Sequence, residues 1–165
     1  MEADDRNLHR ALDRKDPALK VVYRRADELR DDPEQVQIVQ APSLDNDKPH
    51  AGLKPVHGLF GSDEWWERIH SRLIRTVHVT GTIRDRAHAG QDSRWGDSVN
   101  AFHLEQDDGS VCLESIHAGN KQDREPFRAG ARGSCWFALL ELKSRPAADG
   151  GVNYARTLLE MAVSA

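Results

Sequence analysis

Arginines are the residues of this sequence whose type and spacing first indicate a chemistry. Six of them lie between residues 68 and 94, a stretch whose only acids are Asp85 and Asp92, so its local charge is six minus two, or +4. Guanidinium groups bind phosphates through paired N–H donors, and Trp95, beside Arg94, can stack on a nucleic-acid base. The candidate ligand-binding residues are Arg84, Arg86, Arg94 and Trp95.

The same arginines have a second interpretation, in which they are spread over a surface and pair with acids of the N-terminal region. The whole chain has a formal net charge of −4 and a pI near 6.0. This balance disfavours tight binding to nucleic acid, because such affinity comes largely from the neutralisation of phosphates. We therefore favour the paired or solvated interpretation over phosphate binding.

Three histidines on predicted strands, His78, His103 and His117, are candidate metal ligands. Neutral imidazoles that converge on one face can bind zinc. The sequence has neither a His-Glu-x-x-His nor a Cys-x-x-Cys spacing, and His78 and His103 fall on polar faces. We expect isolated surface histidines and no metal site.

Hydroxyl and thiol side chains give no nucleophile signal. Ser62, Ser98 and Ser110 lack the Gly-x-Ser-x-Gly context of an activated serine. Cys112 and Cys135 lie in apolar runs, where a thiolate is disfavoured; they could pair, but two buried free thiols are favoured. Neither Gly-x-x-x-x-Gly-Lys nor Gly-x-Gly-x-x-Gly occurs as a phosphate cradle. The sequence predicts no catalytic residue, no cofactor and no enzyme.

The clearest element is a helix that begins after Ser62, a residue type that caps helix N-termini. Acids follow directly in the first turn, where the helix end is partly positive. Trp65, Ile69 and Leu73 then fall at i, i+4 and i+8, so we predict a helix over residues 63–73 with one apolar stripe. The aromatic pair Trp65 and Trp66 is expected to be core and not a cofactor site.

Alternation of apolar and polar residues predicts five strands after this helix. They cover residues 76–84, 99–105, 111–117, 135–142 and 154–163. The last segment also suits a helix, although we favour a strand. Gly81 indicates a bend or bulge, and Asp108-Gly109 indicates a hairpin. Closing or curling the strands into a barrel would remove their exposed edges.

Residues 1–50 differ in composition, with 9 Lys or Arg and 12 Asp or Glu among 50 positions. Apolar islands occur only at 21–23 and 36–39, too little to offset the ordering entropy of an independent unit. We predict a charged N-terminal extension and linker over residues 1–50 and a small β-barrel domain over residues 51–165.

One helix followed by five strands resembles a small OB-like barrel, over residues 58–163. A further cue is residues 127–133, an aromatic and glycines before a strand, and the opening Gly-Leu-Phe-Gly-Ser…Trp-Trp is similar to that of uncharacterised bacterial proteins. An OB-fold usually has its helix between the third and fourth strands, whereas segment 118–131 is polar here. The resemblance implies a mostly β fold, a five-stranded OB-like barrel preceded by one short helix, that binds oligonucleotides, oligosaccharides or proteins.

We predict a non-enzymatic, cytoplasmic binding module that holds a protein or small polymer on one barrel face. One alternative is a single-stranded nucleic-acid-binding protein that uses the arginine surface. Another is a subunit that docks on a partner, or on a second copy, through its N-terminal extension. No membrane partner is expected, because no apolar run approaches the roughly 18–20 residues of a spanning helix, and residues 1–6 are acidic, unlike a secretory signal.

Overall fold

A computed structural model of the chain describes residues 18–49, 51–87, 101–117, 121–143 and 152–164. Its helices are α1 (Arg25–Asp31), α2 (Pro33–Leu44) and α3 (Asp63–His70), with a 3₁₀ turn at Lys121–Arg124. Its strands are β1 (Leu19–Arg24), β2 (Thr76–Ala87), β3 (Ala101–Gln106), β4 (Val111–Ser115), β5 (Arg132–Glu141) and β6 (Tyr154–Ser164). None of the helices in these ranges is long and apolar enough to cross a membrane.

The strands form one open sheet in the order β1-β6-β5-β2-β3-β4. The predicted closed barrel of five strands is therefore wrong in both closure and strand count, although the mostly β class is confirmed. The pairs β1/β6, β2/β3 and β3/β4 are antiparallel. The OB-like resemblance stays a prediction.

The additional strand comes from the first apolar island of the N-terminal region. In β1, Lys20 is in register with Val163 and Val21 with Ala162 of β6. The island has too few apolar residues to fold by itself, but pairing with β6 satisfies its backbone groups and buries Val22 to 6% exposure. At the end of β1, Arg24 lies 3.8 Å from the carboxylate of Glu160, which is fully buried.

The chain folds into two compact units. We call the first the helical unit; its described residues lie within 25–77 and 137–159. We call the second the strand unit; its described residues lie within 18–24, 78–136 and 160–164. The second apolar island lies in α2, so the region predicted as an extension contributes elements to both units.

The start of α3 matches its prediction. The hydroxyl of Ser62 accepts a hydrogen bond from the Trp65 N–H at 3.2 Å, which satisfies one free donor of the first turn. Trp65 and Trp66 are 2% and 6% exposed, and their rings meet edge to face at 4.8 Å. The expectation that the aromatic pair is core is therefore confirmed.

The end of α3 differs from its prediction. The helix stops at His70, and Arg72 takes a left-handed backbone conformation with φ of 64°. This turn buries Ile74 and leaves Leu73 at 52% exposure, so Leu73 does not continue the apolar stripe of Trp65 and Ile69. The spacing pattern could not reveal this ending, since no glycine marks the left-handed position.

In the strand unit, β3 and β4 form the predicted hairpin, with Gly109 at φ of 89° in the turn. In the pairing of β2 with β3, the irregularity lies between Ile83 and Asp85, whereas Gly81 is in register with Gln106. A Cβ at Gly81 would lie 2.1 Å from the carbonyl oxygen of Glu105, so this glycine permits close approach of β3. The last predicted strand is confirmed as β6.

Candidate binding surfaces

Two of the four predicted ligand-binding residues, Arg84 and Arg86, lie near the end of β2 in the strand unit. Arg84 occupies the irregular position of the strand, and its side chain is 56% exposed. Its Nε lies 3.7 Å from the carboxylate of Glu105 on β3. Arg94 and Trp95 lie outside the described residues.

Arg86 uses its guanidinium within the protein. Its Nε donates to the carbonyl of Phe127, and its Nη2 donates to the carbonyls of Arg124 and Glu125 at 3.1 and 3.2 Å. These bonds attach the loop before β5 to β2, where the buried Phe127 packs on Phe102 with ring centroids 5.2 Å apart. The Nε and Nη2 donors of Arg86 are therefore directed at the backbone of this loop.

Other arginines of the described residues also have acidic neighbours. In the strand unit Arg132 donates to Asp107 at 3.0 Å and to the Thr82 hydroxyl at 3.1 Å. In the helical unit Arg68 lies 3.8 Å from Glu64, one helical turn away. These pairs lower the positive potential that phosphate binding requires. The acids that pair here come from the folded elements and not from residues 1–50.

An exposed apolar pair lies on β4, the edge strand next to β3. Val111 and Leu113 point to the same face and are 45% and 47% exposed. Their register partners on β3 are Glu105 and His103, and the Nδ1 of His103 lies 2.5 Å from a carboxylate oxygen of Asp85. The result is a small apolar strip with charged groups beside it.

The three candidate metal-ligating histidines have separate environments. His103 bonds Asp85, His117 contacts the Tyr23 ring at 5.2 Å, and His78 stacks on Trp136 at 5.8 Å. Among the described residues, no group of three or more His, Cys, Asp or Glu side chains is arranged to hold a metal ion. Cys112 and Cys135 are free thiols, half-buried and buried respectively.

A pocket of about 110 Å³ lies in the helical unit. One wall is the segment 53–58, which is attached to the end of β5 by a hydrogen bond from the Lys54 N–H to the Glu141 carbonyl at 2.9 Å. Another is the turn after α3, where the Arg75 carbonyl accepts from the Leu139 N–H at 2.9 Å. Backbone hydrogen bonds therefore fix both walls.

The pocket has a buried apolar floor and an exposed apolar rim. The floor includes Phe60, Trp65, Ile74 and Leu140, each at most 6% exposed. On the rim, Val56, Leu73 and Tyr154 are 56%, 52% and 45% exposed. Large apolar side chains that stay this exposed around a concavity are typical of interaction sites.

Charged side chains also line the pocket. Lys54 and Arg75 are exposed, and Glu141 is partly buried. Within the described ranges, neither Lys54 nor Arg75 forms a side-chain ion pair with another residue. The rim therefore has an excess of positive charge over its carboxylate.

Sequence reasoning missed this pocket. Residues 53–58 fall in the predicted barrel domain but outside its predicted helix and strands, and Leu73 is predicted as the end of a helical stripe. The local signal that was available is the pair of apolar residues Leu53 and Val56 beside Pro55, which do not fit the predicted helix or strands. Nothing in the sequence indicates that this segment meets Leu73 and Tyr154 at one site.

Comparison with known families gives one result for the chain. Residues 19–164 match the model of a family described as immunity protein RhsI2. This range begins at the first residue of β1 and ends at the last residue of β6, so it includes every described helix and strand. No curated protein matches the chain.

Proposed function

The chain belongs to the RhsI2 family of bacterial immunity proteins, and we propose that it binds a cognate Rhs toxin and blocks it without chemistry of its own. The observation that carries this proposal is the extent of the family match, which includes all described helices and strands instead of a single short motif. An immunity protein acts on a toxin, so membership indicates a protein partner.

Two groups of exposed apolar side chains support a protein partner. In the strand unit these are Val111 and Leu113, and in the helical unit they are Val56, Leu73 and Tyr154. Protein interfaces typically combine an apolar centre with a polar rim. Each group has charged neighbours of this kind, so each is suited to contact a folded toxin domain.

Among the predicted site residues, we propose that Arg84 contacts the toxin at the edge of the apolar strip formed by Val111 and Leu113. Its guanidinium is exposed and lies beside Glu105, the register partner of Val111. Charges at an interface rim act mainly on the rate of association. Arg94 and Trp95, which lie outside the described residues, remain proposed toxin contacts, whereas Arg86 is assigned to holding the fold.

Production of the cognate Rhs toxin in cells with and without this chain tests the proposal. We expect the chain to restore growth and to co-purify with the toxin, because the proposed inhibition is a stable complex. Growth that stays arrested while the chain accumulates as folded protein would contradict the proposal. Binding of a short oligonucleotide at low salt, without binding of the toxin, would favour the nucleic-acid alternative instead.

A further inference from the structure

Resting on the proposed function, we propose that the pocket of the helical unit is an anchor site for one apolar side chain of the toxin. The toxin segment that supplies this side chain also carries a carboxylate, which meets Lys54 and Arg75.

The size and lining of the pocket suit a single apolar side chain. Its volume is about 110 Å³, and an engineered apolar cavity of about 150 Å³ holds one benzene molecule. Aromatic rings of Phe60 and Trp65 contribute to the lining, with centroids 4.9 Å apart. Anchors at protein interfaces are typically side chains that fill such well-packed pockets near the centre of the contact.

The rim indicates a protein occupant and not a small molecule alone. Val56, Leu73 and Tyr154 each keep about half of their surface in water around the opening. A ligand that only filled the cavity would leave these side chains exposed, whereas a protein surface would cover them. The left-handed conformation of Arg72, which favours glycine, holds Leu73 outward although a buried position would be favoured for leucine.

The charges around the pocket opening indicate that the toxin segment carries a carboxylate beside its anchor side chain. Lys54 and Arg75 are two exposed cations against the single carboxylate of Glu141 among the lining residues. Neither cation has an ion-pair partner in the described part of the chain. A carboxylate next to the anchor would pair with them, and an Arg side chain can bind it through two N–H donors. A basic anchor segment would be repelled.

The test measures the affinity of the purified chain for the purified cognate Rhs toxin. Leu73→Asp and Val56→Asp should each weaken binding by at least about 30-fold, since a charge at the rim prevents the anchor from burying. Ile38→Asp is the matched control: Ile38 is 65% exposed on α2 and does not line the pocket, so its affinity should stay within about three-fold. Thermal melting establishes that each variant is folded.

A second measurement tests whether the toxin segment carries a carboxylate that pairs with Lys54 and Arg75. Arg75→Glu should weaken binding by about 10-fold or more at low salt, and the difference from wild type should shrink as salt rises. If Arg75→Glu leaves the affinity for the toxin unchanged or increases it, the proposed carboxylate beside the anchor side chain is overturned.

The outcomes separate this inference from the proposed function. If the wild-type chain does not bind the toxin, the proposed function fails. If wild type binds but Leu73→Asp and Val56→Asp bind equally well, the anchor site is overturned and the function stands. A small carboxylic acid that raises the melting temperature of wild type but not of Leu73→Asp, and that does not compete with the toxin, would also overturn the anchor, because it would assign the pocket to another ligand.

Discussion

Arg84 and Arg86 are two positions apart on β2 and act differently. Arg84 is an exposed cation beside Glu105, whereas Arg86 donates to three carbonyls of the loop at residues 124–127. Hydrogen bonds from a charged donor that hold a loop stabilise a fold more than an exposed ion pair does. Substitutions of Arg84 and of Arg86 therefore provide a matched pair of variants on the same strand.

We predict that Arg86→Ala lowers the free energy of unfolding by about 2–3 kcal/mol. Arg84→Ala, which removes the same charge, should lower it by less than about 1 kcal/mol. Chemical denaturation of both variants measures the difference. Equal effects would contradict the assignment of Arg86 to the fold.

Asp108 is a second residue whose environment has a measurable consequence. In the β3–β4 turn, its carboxylate accepts from the hydroxyl of Ser110 at 2.6 Å and from the Ser110 N–H at 2.8 Å. These donors favour the ionised form, and the Ser110 hydroxyl first of all places the pKa of Asp108 below its ordinary value. Because the folded pKa is depressed, the stabilisation is present above the unfolded pKa and is lost as pH falls through the folded pKa.

We predict that Ser110→Ala raises the pKa of Asp108 towards the ordinary value of an aspartate. The substitution removes the Ser110 hydroxyl, which lowers this pKa more than the Ser110 N–H does. Carboxyl chemical shifts followed by NMR during an acid titration report this pKa directly. An Asp108 pKa that is the same in wild type and Ser110→Ala would show that the hydroxyl does not hold the carboxylate.

At the scale of elements, β1 is held to the sheet by its pairing with β6 and by an ion pair at its end. Its last residue, Arg24, lies beside the fully buried carboxylate of Glu160 on β6. Removal of a cation from a buried ion pair is strongly destabilising, since the remaining charge stays in the interior. Arg30 on α1 is a suitable comparison, because its pair with Asp27 is exposed.

We predict that Arg24→Ala lowers the free energy of unfolding by about 3 kcal/mol or more, and that Arg30→Ala lowers it by less than about 1 kcal/mol. Adding Glu160→Gln to Arg24→Ala should recover part of the loss, because it removes the buried charge. Urea denaturation of these variants gives the comparison. If Arg24→Ala unfolds like wild type, the pair of Arg24 with Glu160 does not stabilise the attachment of β1 to β6.

Elements with a clear local pattern could be predicted from the sequence. The alternation in β2 and the Asp-Gly step after β3 both depend on neighbouring residues, so they are visible without the fold. By contrast, β1 acquires its stability from β6, which is distant in sequence. The end of α3 depends on Arg72, a residue type that does not normally indicate a left-handed position.

The candidate site was less predictable than the elements. The arginine cluster is conspicuous in the sequence, but the partners of Arg86 are backbone carbonyls of a distant loop. The pocket combines the segments 53–58, 73–75 and 139–141, none of which carries a motif. Its chemistry comes from apolar side chains that are exposed only because the fold holds them there.

At the scale of the whole molecule, the chain is a mostly β protein whose family match extends from β1 to β6. Its family indicates a toxin as the partner, and its exposed apolar groups have the composition of protein-binding surfaces. Under the proposed function, the chain is consumed in a fixed ratio to the toxin, because it acts by staying bound. An enzyme that inactivated the toxin would turn over.

The measurement that tests this account most directly is a titration of the activity of the cognate Rhs toxin with the purified chain. We predict that residual toxin activity falls in proportion to the added chain and reaches its baseline at a fixed molar ratio, with intact toxin recovered from the complex. Full inactivation by a small fraction of one molar equivalent, or no inactivation by an excess, would contradict inhibition by binding.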